Sequence, residues 1–261
     1  MADKNIFDSL NPIPEESRRK LFDPSADVIG KTAGGLFSFV SIPFRSLGFW
    51  SEDVIARFEN KIIERNQEIP EEYRDFSKFQ QTVKAIDDAK YSLGQEELQD
   101  LFINLISGTL DSRKNIDIHP SFSSILKEFS TLDADLFDRI YREKRVPTAS
   151  IVYHSSDWES EYSVERNILL FDEGILRANN ELNSLERLGL IEIHTTRNLQ
   201  ASQYSKRYTE FETNPFYKDY EDAIEQNPIE GDGATIDSIS VNKGHLRLSH
   251  IGKSFGSIII Q

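Results

Sequence analysis

The stretch EELQDLFINLISGTL, residues 96–110, sets Leu98, Leu101, Phe102, Leu105 and Ile106 at i, i+3, i+4, i+7 and i+8. That spacing gathers five large apolar side chains onto one face of a helix and scatters them on a strand. A helix with such a face must bury it against other elements, so this stretch predicts the centre of a helical assembly. Its neighbours supply the partners. Val54, Ile55, Phe58, Ile62 and Ile63 recur at helical spacing from Ser51 until Pro70 stops the run, and Phe79, Val83 and Ile86 mark a second helix. Ser92 with Gln95 three residues later resembles a capping box for the central helix. Phe122, Ile125, Leu126 and Phe129 form a short face after it. Ser130 followed by Asp133 caps a further helix whose core side is Leu132, Leu136, Phe137 and Ile140.

The C-terminal half reads differently. Val164, Ile168, Phe171, Ile175, Ala178, Leu182 and Leu185 are spaced 4, 3, 4, 3, 4 and 3, which predicts one long helix or two in tandem near Gly174, closing at Gly189. LIEIHTT then reads as a strand, TIDSISV and HLRLS around NKG as a hairpin, and HIGKSFGSIII as a closing helix or strand. The expectation is a mainly α protein. An extended arm (1–25) precedes a helical N-terminal and central bundle (26–146), and a winged-helix-like α+β module (147–261) completes the chain, with a polar, aromatic insertion at about 197–234. That insertion, with its acidic tract EFETNPFYKDYEDAIEQNPIEGDG, lacks the spacing of an EF-hand and is expected to be a flexible or partner-binding loop.

Charge narrows the function. Thirty Lys and Arg stand against 44 Asp and Glu, a net charge of −14. This disfavours a nucleic-acid partner, because phosphate contacts need clustered cations. The presumed recognition helix, 175–190, offers Asn179, Asn180 and Asn183 as base readers, but its Arg177 and Arg187 are offset by Glu181 and Glu186. There is no cysteine, and the five histidines lack metal-ligand spacing, so neither cofactor nor metal is expected. GKTAGG at 30–35 does not match the phosphate-loop pattern. The run RIYREKR at 139–145 reads as a solvated helix end. The polar start MADKNIFDSLNPIPEESRRK has no signal-peptide pattern, which makes a cytoplasmic location the expectation. TAGGLFSFVSIPF, 32–44, is too short to span a bilayer. The apolar stretch 32–49 is read as a core helix, then as an oligomer or partner contact, then as an interfacial membrane helix.

One polar stretch invites a catalytic reading: DSRKNIDIHPSFSSIL, 111–126. His119 could serve as a base with Asp117 or Asp111 orienting it. The competing reading is a joint between helices, in which Pro120 occupies a first helical turn, Ser121 bonds exposed amides, and Arg113 and Lys114 complement the end of the preceding helix. The joint reading accounts for more of these residues.

The chain also resembles a known family. EIPEEY (68–73), EELQDLFINLISGTLDSRK (96–114), HPSF (119–122) and STLDADLF (130–137) are similar to the central block of the abortive-infection alpha family. DPSADVIGKTAGGLFSF (23–39), LNSLERLGLIEI and LRLSHIGKSF resemble its flanks, with Ser249 where Thr is the expectation. The resemblance implies a bacterial phage-defence role and no particular reaction. The function expected is defence through contacts with a host or phage protein, as sensor, regulator or effector, with self-association possible. The alternatives are a winged-helix DNA-binding regulator and a membrane-acting effector using 32–49.

Overall fold

The computed structural model describes residues 50–155, 162–231 and 234–260. The readings placed on 1–25 and 32–49, including GKTAGG, lie outside the described residues. The chain divides into two compact units, the first ending at Ile116 and the second starting at Asp117.

In the first unit the helical periodicities hold. Helix α1 (Glu52–Gln67) begins where the Ser51 hydroxyl accepts from the Val54 amide, and buries Ile55, Phe58 and Ile62. Helix α2 is Phe79–Ala89 and helix α3 is Glu96–Thr109. From Phe102 to Leu110 every residue of α3 and its C-cap is buried, so this helix is enclosed rather than faced on one side. Its buried polar groups find partners in part: the Thr82 and Thr109 hydroxyls bond at 2.8 Å. Ser92 does not cap α3. Gln95 holds the N-cap position, and Ser92 belongs to the turns before it.

The second unit corrects the mainly α expectation. Helices α4 (Phe122–Lys127) and α5 (Thr131–Glu143) come first, and the Ser130–Asp133 capping box forms with both bonds, 3.1 and 2.8 Å. The chain then enters a six-stranded antiparallel sheet: β1 (Arg145–Ser155), β2 (Tyr162–Phe171), β3 (Gly174–Leu176), β4 (Ile191–His194), β5 (Ile229–Gly231) and β6 (Ala234–Leu248), in the order β3-β2-β1-β6-β4 with β5 also on β6. The residues read as one helix, or two in tandem, over 164–185 are β2, β3 and the short helix α6 (Asn179–Arg187). The coincidence has a cause. The β1–β2 register shifts between Ala149 and Ile151, and Asn167 takes φ 54°, its amide donating to the Ser150 hydroxyl at 3.1 Å. This bulge adds a residue to β2, a second shift follows between Ile151 and Val152, and Ile168–Phe171 are all buried, so no period-2 alternation announces a strand.

The hairpin around NKG is absent too. β6 runs unbroken for 15 residues, with Asn242, Lys243 and Gly244 opposite Ser150, Ala149 and Thr148. Gly244 is there for closeness, not for a turn: a Cβ would stand 2.5 Å from the His194 carbonyl oxygen and 2.8 Å from Thr148 Oγ1. The winged-helix expectation fails on the same finding. The module is organised by the long central pair β1–β6, and the arginines of the presumed recognition helix are taken up by glutamates, Arg177 with Glu165 and Arg187 with Glu128, both at 2.8 Å.

The insertion is not a loop. It forms helices α7 (Ser202–Glu212) and α8 (Pro215–Gln226) and strand β5. Tyr208, Phe211 and Tyr217 of these helices join Ala149, Ile151, Ile168 and Leu170 of the sheet in one buried cluster. Arg207 anchors α7: its guanidinium bonds Glu143 Oε2 at 3.0 Å, Asp172 Oδ1 at 2.8 Å and the Leu170 carbonyl at 3.1 Å. The buried Tyr208 hydroxyl, its pKa raised by burial, donates to the Gly244 carbonyl and accepts from the Leu199 amide. Against another part of the second unit, α9 (His250–Ile259) seats Phe255 among Phe122, Phe129 and Phe137 at 5.2–5.7 Å between ring centres. Ser249 caps α9, accepting from the Gly252 amide at 2.9 Å and donating to the Gly189 carbonyl at 2.5 Å. A threonine would offer the same hydroxyl.

Candidate functional site

The polar stretch singled out in the sequence is divided between the two units, with Asp111 in the first and Asp117 and His119 in the second. In the first unit it builds a strap. Chain 73–75 lies beside 110–112: the Asp75 amide donates to the Leu110 carbonyl at 3.0 Å and the Ser112 amide to the Tyr73 carbonyl at 2.8 Å. Pro70 opens the short 3-10 turn Glu71–Tyr73 that leads into it. Asp111 is 3% exposed and is the knot of the strap. Its carboxylate takes the Arg113 guanidinium through two oxygens, at 2.9 and 2.6 Å, and the Arg113 amide at 3.0 Å. Its carbonyl accepts from the Lys114 and Asn115 amides. Asn115 in turn donates to Asp75 Oδ2 at 2.8 Å, tying the far end of the strap back.

These contacts fix the electrostatics. The Arg113 hydrogen bonds hold the Asp111 carboxyl below the usual carboxylate range and raise Arg113. The Asn115 side chain, with the Ser77 amide, lowers Asp75. A carboxylate kept ionised by a bidentate guanidinium is a poor proton donor at neutral pH.

Asp117 is exposed at the end of the 3-10 turn Asn115–Asp117. His119 is exposed at the start of α4. Its Nδ1 accepts from the Ser121 amide at 3.2 Å and stands 2.8 Å from the Ser121 hydroxyl, while its carbonyl takes the Phe122 amide at 3.0 Å. The imidazole thus does for an exposed amide what Ser121 was expected to do; the Ser121 side chain makes no cap bond. Among the described residues no group of three or more His, Asp or Glu is placed to hold a metal, and no helix is long and apolar enough to cross a membrane.

The strap presents residues that the sequence reading did not single out as functional. Tyr73 is 38% exposed, Phe76 37% and Ile116 79%, and the Arg113 guanidinium lies 4.7 Å from the centre of the Tyr73 ring. Their signal was available in YRDF and RKNI: aromatic and aliphatic residues interleaved with charges between helices, where no helical period recruits them to a core.

A family model described as abortive infection alpha matches residues 51–259. No curated protein matches the chain. A solved structure, that of an uncharacterized protein from the hydrocarbon-degrading marine bacterium Alcanivorax borkumensis SK2, aligns with 57% of this chain and 96% of its own at 12% identity, with a TM-score of 0.31.

Proposed function

The chain belongs to the abortive infection alpha family, and from that premise we propose that it takes part in phage defence through a protein contact made by the strap. One observation carries the reading: Tyr73 and Phe76 on one chain segment and Arg113 and Ile116 on another are exposed, Arg113 lies over the Tyr73 ring, and the two segments are held to each other through Asp111, Asp75 and Asn115. Tyr, Phe and Arg are the residue types that concentrate binding energy in interfaces. A strap fixed in advance loses little conformational freedom when a partner docks. The net charge of −14 favours approach of a basic host or phage protein. The ionised Asp111 then acts as a positioning residue that aims Arg113, and chemistry is not its task.

The test is a set of strap variants scored by phage plaque formation and by thermal melting of the purified proteins. Tyr73→Ala with Phe76→Ala is expected to leave folding nearly intact and abolish protection, because both side chains are already more than a third exposed. Full protection by a stably folded double variant sinks the reading. Size-exclusion chromatography of the same variants identifies the partner as a second copy if only the wild type self-associates.

A further inference from the structure

The geometry points to a strand-addition site on β6, in the gap between β4 and β5. On its outer side β6 is paired at one end by β5, through Ile236 with Ile229, and at the other by β4, through His245 with His194. Between these anchors residues 238–243 carry no strand on that side among the described residues. Six residues of extended chain are about 20 Å long at roughly 3.3 Å each. Ser238 and Asn242 are exposed, and Ile239, Ser240, Val241 and Lys243 are half-buried. A row of backbone amides and carbonyls on an open edge is a template for another strand.

The sheet's other open edge is built differently. β3 covers only Leu169–Phe171 of β2. The remainder of that edge is bent by the bulge at Asn167 and carries Arg166, both devices that discourage pairing. The β6 gap is regular over residues 238–243, the one register shift against β1 lying beside them at Asp237. Its register against β1 is continuous from Ser238 opposite His154 to Arg247 opposite Arg145, with no proline and no bulge. Its one charge, Lys243, is engaged by Glu212 at 2.6 Å.

The occupant is set by the shape of the gap and by its side chains. A second copy cannot pair here through its own β6, because that strand is 15 residues long and would run into β4 and β5 at the ends of the gap. A short extended segment of a partner protein fits. On one face it lies beside Ile239 and Val241, which pack against the cluster holding Tyr217 and Phe216, so aliphatic side chains suit that side. On the other it meets Ser238, Ser240 and Asn242, with Ser240 held 2.6 Å from His154 Nε2, so small polar side chains suit that one. Net charge −14 favours basic flanks. The site therefore takes a peptide that alternates aliphatic and small polar residues between lysines or arginines. It lies in the second unit and stands independently of the strap.

The probe is a labelled seven-residue peptide of alternating valine and threonine extended by one lysine at each end, titrated into the full chain by fluorescence polarisation, with amide exchange read in parallel. Binding is expected to slow exchange at alternate residues within 238–243. Two further peptides carry N-methyl groups on every second residue, in opposite phases. Since an added strand bonds through alternate residues, one phase is expected to weaken binding more than about tenfold and the other to leave it within about threefold. Tyr73→Ala with Phe76→Ala is expected to leave peptide binding unchanged. The proposal is overturned by no binding at about millimolar peptide, by equal effects of the two methylated phases, by protection confined to residues outside 238–243, or by loss of binding in the strap variant.

Discussion

Truncating Phe122 to alanine measures what the 111–126 stretch is for. Its ring is 1% exposed and meets Phe255 edge-on, 5.2 Å away at 76°. Phe255 is also held by Phe129 at 5.7 Å and Phe137 at 5.6 Å. A buried Phe→Ala change costs about 3–5 kcal/mol, more where the surroundings cannot collapse into the space. With Phe255 braced on two other sides the cavity persists, which places the expected loss at about 4–5 kcal/mol. Phe122→Ala combined with Phe255→Leu should show a coupling of about 0.5–1.5 kcal/mol, the usual worth of an edge-to-face pair. His119→Ala removes an exposed ring that accepts the Ser121 amide, bonds the Ser121 hydroxyl and lies 6.2 Å from the Phe122 ring, a loss of about 1 kcal/mol. Because the chain has two compact units, each can unfold in a transition of its own. The assay is urea unfolding monitored by circular dichroism, with amide exchange of α4, α5 and α9 reporting the second unit by itself. A Phe122→Ala protein within about 1 kcal/mol of wild type, or zero coupling to Phe255, refutes the reasoning. A stably folded His119→Ala that gives no protection in plaque assays would return the histidine to a functional role.

Three further outcomes are expected. Arg207→Ala should cost about 2–3 kcal/mol, because it strands the half-buried Glu143 and the Leu170 carbonyl while the exposed Asp172 is rehydrated; a melt unchanged from wild type contradicts this. Asp111→Asn should destabilise at neutral pH and much less in acid. A carboxyl whose folded pKa is lowered contributes its full stability above the ordinary Asp value and loses it as pH falls towards the folded one, so the gap between variant and wild type should close below about pH 4; a constant gap from pH 7 to pH 2 is the refuting result. Gly244→Ala drives a methyl into the His194 carbonyl and Thr148 and should cost about 1–3 kcal/mol, read as a lowered thermal midpoint; an unchanged midpoint would show that β4 can move aside.

The sequence by itself determined what is local. The spacing of Leu98, Phe102, Leu105 and Ile106 specified α3, and Ser130 with Asp133 specified the start of α5, because a helix closes its hydrogen bonds and its caps within a few residues. It also carried the family, through motifs of which EELQDLFINLISGTLDSRK and STLDADLF lie largely on those helices. The sheet was decided by tertiary structure. β1 pairs with β6 residues 81 to 102 positions away, from Ser155 with Ile236 to Arg145 with Arg247, so no local pattern records their partnership. Proline is a residue that interrupts strands, yet Pro147 sits in β1, paired with His245 on one side, while the pairing to β2 begins at Thr148, where an amide is available. Two register shifts and the continuously buried run Ile168–Phe171 removed the alternation of β2, so Val164, Ile168 and Phe171 could be read at spacings that imitate a helix. NKG imitated a turn because glycine serves close backbone approach as readily as reversal. The strap shows the same division. Asp111, Arg113 and Asn115 were visible as a polar cluster, but only the fold brought Tyr73 and Asp75 beside them and left Phe76 and Ile116 facing water. Contacts made across tens of residues depend on which surfaces the core leaves over, and that is settled when the core forms.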